Sequence, residues 1–100
     1  MENKIYIYGY DFTIKFVNKD DLFGSDGKAE PNGRIIYVRD DLDETDTKIT
    51  LIHELCHAIL FVQGRRFQRQ FDLEDVCEFV AYTNNEINKI ANSVLKEKGD

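Results

Sequence analysis

The stretch Leu51-Ile52-His53-Glu54-Leu55-Cys56-His57-Ala58-Ile59-Leu60-Phe61-Val62 is apolar on nearly every side of the helix that its spacing predicts, yet it carries three ionisable side chains in its middle. Such groups are costly inside a domain unless something satisfies them. Both histidines of the chain fall in this one string, His53-Glu54-Leu55-Cys56-His57. On an α-helix, positions i and i+4 lie about 40° apart around the axis and about 6 Å along it, so both imidazoles can reach a single ion. At roughly 2.0 to 2.1 Å from each ring nitrogen, a zinc ion fits that placement. Glu54, roughly 100° round from His53, is no ligand but can reach a water held in an open coordination position. Zinc brings the pKa of such a water to about 7, and a carboxylate can take its proton as it attacks a polarised carbonyl. The plainer alternative is a chance string whose histidines only satisfy core hydrogen bonds.

Outward from this string, Asp43 or Thr45 can cap the helix, Glu44 and Asp46 suit its positive end, and Gly64 stops it, giving a span of about residues 46–63. A basic loop with Arg65, Arg66 and Arg69 follows, read as solvated or as a grip on an acidic group. A second long helix begins near Asp72, with Leu73, Val76, Val80, Ile87, Ala91 and Val94 as its packing stripe. It frays over residues 96–100. Before the motif helix, residues 4–8, 12–17 and 34–38 read as strands, rich in β-branched and aromatic side chains. Gly9 marks the first turn, Asn32-Gly33 signals a hairpin, and residues 18–32 carry turn chemistry. The expected fold is α+β: a small antiparallel sheet of about three strands followed by two long helices.

The chain has 100 residues with 42% hydrophobic side chains, which predicts one domain over residues 1–100. A formal charge of -6 disfavours nucleic acid as a direct partner, because phosphate-binding surfaces cluster Lys and Arg. No run approaches the roughly 18 apolar residues of a membrane span, and the first residues lack an apolar core. Two cysteines, Cys56 and Cys77, are too few for a disulfide framework. A cytoplasmic protein, monomeric or weakly self-associating, is therefore expected.

A third ligand must come from outside the string, and Glu74, Asp75 and Glu78 open the second helix. Glu74 and Glu78 share a face at i and i+4. That spacing suits one acid as a zinc ligand, Glu74, and the next, Glu78, as the carboxylate that orients a ligand histidine through its free N–H. The alternative is that these acids decorate the positive end of the helix. Cys56 and Cys77 are the alternative ligands, although neither has the paired spacing of structural zinc sites. Tyr10, Tyr37 and Tyr82 are candidates for stabilising an oxyanion, or else ordinary packing aromatics.

Together, HELCH and the acid-bearing helix Leu73-Glu74-Asp75-Val76-Cys77-Glu78-Phe79-Val80-Ala81 resemble the minimal gluzincins, compact zinc peptidase-like proteins of phages and prophages related in style to the ImmA/IrrE metallopeptidases. The resemblance covers most of the chain and implies a zincin-like fold. It implies a phage- or prophage-encoded metallopeptidase-like hydrolase in a bacterial host, acting on a peptide or protein substrate with Zn2+ as cofactor. It also implies zinc on His53 and His57, base catalysis by Glu54, Glu74 as third ligand and Glu78 as the outer acid. The strand at residues 34–38 would pair with an extended peptide. From a different class, the rival reading is a catalytically weak or inactive binding or regulatory module whose zinc holds the helices together; a metal-free interaction protein is the third.

Overall fold

The structure, a computed structural model, describes residues 2–62 and 73–99. Strands β1 (Glu2–Ile7), β2 (Tyr10–Val17), β3 (Gly27–Glu30) and β4 (Ile35–Arg39) precede two helices, α1 (Glu44–Val62) and α2 (Leu73–Gly99). The fold is α+β, with one sheet and two long helices in the expected order.

β1 and β2 form an antiparallel hairpin closed by Tyr8 and Gly9, both at positive φ (46° and 88°), the geometry a two-residue turn needs to follow the twist of its strands. Strand order is β1-β2-β4-β3. β4 pairs in parallel with β2 and antiparallel with β3, so the sheet is mixed and has four strands. The additional strand is β3, whose sequence Gly-Lys-Ala-Glu has no β-branched or aromatic residue and reads as turn. Its pairing with β4 makes it a strand, a case of tertiary context overriding local preference. Asn32-Gly33 does lie in a hairpin connection, but as part of a 3₁₀ turn, Pro31–Gly33, that closes with Arg34 in the left-handed region. Arg39 holds the other end of this hairpin: its N–H donates to Asp26 O, and its guanidinium pairs with Asp26 and Asp41. The Arg39 hydrogen bond holds the Asp41 carboxyl below its usual range.

α1 starts two residues before the expected position 46, directly after the first of the two expected caps. Asp43 is the cap, accepting the Asp46 N–H at 2.7 Å, with Glu44 and Asp46 in the first turn. One stripe of α1, made of Leu51, Leu55, Ala58 and Ile59, is fully buried against Ile7, Phe12, Ile14, Ile36 and Val38 of the sheet. α2 closes the core with Ile87, Ile90, Ala91 and Val94, the i, i+3, i+4, i+7 pattern of one helix face. Val80, expected in that stripe, is 53% exposed, because the buried face of α2 lies nearer its C-terminal half. The side chains of Leu73 and Val76 are outside the described residues, as are Gly64 and the basic loop of Arg65, Arg66 and Arg69. Among the described residues no helix is long and apolar enough to cross a membrane.

Leu55 is fully buried whereas Ile49, on the same helix, is 60% exposed. We expect Leu55→Ala to lose about 2–5 kcal/mol in urea unfolding. Ile49→Ala should stay within about 0.5 kcal/mol of the parent.

Candidate metal centre

α1 divides its faces between sheet and solvent. Thr47, Thr50 and Glu54 are buried, whereas His53 and His57 are exposed. The helix is therefore central but not enclosed, and the histidine face is open.

β3 explains how a carboxylate comes to be buried beside that face. The residues of β3 that share a side with the core are Gly27 and Ala29, the smallest available, while Lys28 and Glu30 point the other way and pair at 3.1 Å. A Cβ added at Gly27 would lie 2.6 Å from Thr50 Cγ2, 3.0 Å from the Tyr37 carbonyl oxygen and 3.2 Å from Glu54 Cγ. Glycine at this position lets the edge strand close directly on the motif helix at Glu54. Reading residues 18–32 as turn chemistry accounts for the glycine by flexibility; the structure accounts for it by space. The signal available in the sequence was the pair of small residues, Gly27 and Ala29, at alternate positions.

His53, Glu54 and His57 come together: one ligand atom from each lies within 4.8 Å of the others. The two imidazoles stand edge to face, 4.9 Å between centroids with planes at 73°. His53 Nε2 is 4.0 Å from Glu54 Oε2. Bonds of about 2.1 Å in tetrahedral geometry would set ligand atoms roughly 3.4 Å apart, so the spacing of the group is compatible with a shared zinc. Glu54 is mostly buried, and among the described residues the His53 imidazole, 4.0 Å away, is the positive-capable group beside its carboxylate. Two neutral-capable imidazoles and an adjacent buried carboxylate are a donor set that fits zinc with a base beside it.

Glu74 and Glu78 lie one turn apart near the start of α2, and their side chains are outside the described residues. Phe79, next to Glu78, lines a groove shared with Ile52 and Cys56 of α1 and with Thr83 and Ile87 of α2. Cys56 faces this groove, where burial pushes its thiol up and favours the protonated form, and it is not among the clustered ligands. Cys77 is exposed.

The three tyrosines separate. Tyr37 alternates with the buried Ile36 and Val38, so it projects from the sheet face opposite α1, where its hydroxyl donates to Glu30 Oε2 at 3.5 Å. That orientation removes it as an oxyanion donor. Tyr82 is 82% exposed on α2, and Tyr10 stacks with Arg34. The strand at residues 34–38 is likewise corrected as a peptide-pairing edge: β4 is hydrogen-bonded on both sides, to β2 and to β3. The free edge next to α1 belongs to β3.

The family profile described as Peptidase M78, IrrE N-terminal-like domain, matches residues 10–87, from the first residue of β2 into α2. The chain belongs to this family. Its membership bears out the ImmA/IrrE-type resemblance and identifies a zincin-like domain of metallopeptidase type, with the HExxH group of His53, Glu54 and His57 assembled on α1. No curated protein and no solved structure gives a match.

Space at Gly27 is a measurable property of this M78 domain. Gly27→Ala should destabilise it by about 1–3 kcal/mol through overpacking. In a Thr50→Ser background, which removes the methyl at 2.6 Å, part of that loss should be recovered; strict additivity in a double-mutant cycle would contradict the close approach.

Proposed function

We propose that the chain is a zinc-dependent metallopeptidase of the HExxH type, a single domain over residues 1–100, with His53, His57 and Glu74 holding the metal, Glu54 as general base and Glu78 orienting a ligand histidine. The observation that carries this reading is the assembly of two exposed imidazoles and a mostly buried carboxylate within 4.8 Å on one helix, in a chain of the M78 family. When bound, zinc supplies Lewis acidity, polarising a carbonyl and making a water acidic near neutral pH.

The protein's own residues supply the rest. Glu54, wedged between α1 and β3, is fixed in position and takes a proton from the attacking water, then returns it to the leaving amine. His53 and His57 stand on the open face, where a peptide can approach. An extended peptide adds to the free edge of β3, its main chain hydrogen-bonding to the strand beside Glu54. Glu74 and Glu78 join from the first two turns of α2. Cytoplasmic residence, in a bacterial host of a phage or prophage, is part of the proposal. It rests on two free cysteines and on the resemblance. Neither nucleic acid nor membrane is a proposed partner, and the chain acts as a monomer or a weak homo-oligomer.

Metal analysis and peptide cleavage test the assignment together. The parent should bind one zinc and lose cleavage on chelation. His53→Ala and Glu74→Ala should each lose the metal, whereas Glu78→Ala should weaken it about 10- to 100-fold. Glu54→Gln should retain zinc but lower kcat by about 10²–10⁴-fold. Unchanged turnover in zinc-loaded Glu54→Gln would remove the carboxylate from its role.

A further inference from the structure

Beyond the clustered histidines, α1 ends at a second concave feature. A pocket of about 230 Å³ opens one turn past His57. Its apolar walls are Phe12, Pro31, Phe61 and Val62, and its polar groups are Tyr10, Asn32 and Arg34. Phe61 follows His57 by four residues, so the pocket lies about 6 Å along the same side of α1, and about 10 Å from Glu54. Tyr10 and Phe12 belong to β2, two strands in from β3, so a peptide that leaves β3 past Glu30 would cross this end of the sheet to lay a side chain in the pocket.

Arg34 is held in place unusually well for an exposed residue. Its backbone is left-handed, φ 54° and ψ 47°, a conformation that glycine adopts far more readily. Main-chain hydrogen bonds fix it on both sides: its N–H donates to Pro31 O at 3.1 Å, and its carbonyl accepts from Thr13 N at 2.9 Å. The guanidinium lies over the Tyr10 ring, 4.8 Å from the centroid. Stacking occupies a face of the guanidinium and leaves its N–H edge available, and among the described residues no carboxylate pairs with it. In a chain of net charge -6, a cation so placed, without an acid, is set apart from Arg39, which pairs with two.

We propose that this pocket is a subsite for an acidic side chain, Glu or Asp, of the bound peptide. The inference rests on the peptidase reading. Arg34 receives the carboxylate edge-on, Asn32 offers its amide as a further donor, and the apolar walls take the methylene stem. Arg34 is thus a specificity-determining residue for the reaction proposed above.

Two measurements test it separately from turnover. A positional library of acetylated, amidated octapeptides, differing as Glu or Gln at one position, is titrated by fluorescence anisotropy into zinc-loaded Glu54→Gln protein. Glu at one position should bind about tenfold tighter than Gln, a preference that shrinks as salt rises. Arg34→Gln should abolish the preference, Arg34→Lys should keep part of it, and Arg34→Glu should favour Lys instead. Arg34→Gly removes the guanidinium and the backbone strain together, so loss of preference in a variant as stable as the parent excludes misfolding as the cause.

The same library is then cleaved by the parent. Glu preference in binding with no cleavage of any peptide would leave the subsite and overturn the peptidase reading. Cleavage without acid preference would do the reverse. Equal binding of Glu and Gln peptides, or a preference unaltered in Arg34→Gln, overturns the subsite.

Discussion

The close approach of β3 to α1 at Gly27 is the constraint on which the rest depends. It requires small residues on the inner side of the edge strand, it seats Thr50 and Glu54 in the seam, and it leaves the neighbouring face of α1 open. Were β3 to carry a larger side chain there, strand and helix would separate, and the Glu54 carboxylate would meet water instead of a protein wall. The catalytic character proposed for Glu54 is thus a property of the strand as much as of the helix.

Consecutive residues on one helix consequently do opposite things. His53 is exposed and Glu54 buried, although they are neighbours in sequence, because each step along the helix turns about 100°. His57 returns to the side of His53 after one turn. This phasing puts two nitrogen donors toward solvent and one oxygen acceptor behind them, an order that a strand, with its alternation of two, would not produce.

Much of this was legible in the sequence, for definable reasons. The HELCH string, the Asp43 cap, the β1–β2 turn at Gly9 and the Ile87, Ala91, Val94 stripe are local patterns, and local geometry decides them. β3 was not legible because Gly27-Lys28-Ala29-Glu30 has no strand preference of its own; its partner, β4, supplies the reason for its extension. The parallel pairing of β2 with β4 follows from that insertion, since a strand placed between them in sequence turns β4 back alongside β2. The same event moved the open sheet edge from residues 34–38 to β3. Val80 was misplaced for a related reason: a heptad-like stripe gives the face of a helix but not how far along its length the core extends.

The two edges of the sheet are not equivalent, and the difference ties fold to chemistry. β1 is six residues long and β3 four, and they stand about 14 Å apart across the intervening strands. Short length and the outward Lys28–Glu30 pair guard β3 against indiscriminate strand addition. Yet β3 alone borders the seam with Glu54, so a peptide that does add there lies against the open face of α1, while one added at β1 would lie beyond reach of it. Arg34 is fixed at the far end of the β3–β4 hairpin, past Glu30, with its guanidinium over Tyr10 of β2. If a peptide adds at β3 as proposed, so short and guarded an edge would give it little main-chain pairing, and the choice among peptides would fall to the charge of a side chain near Arg34.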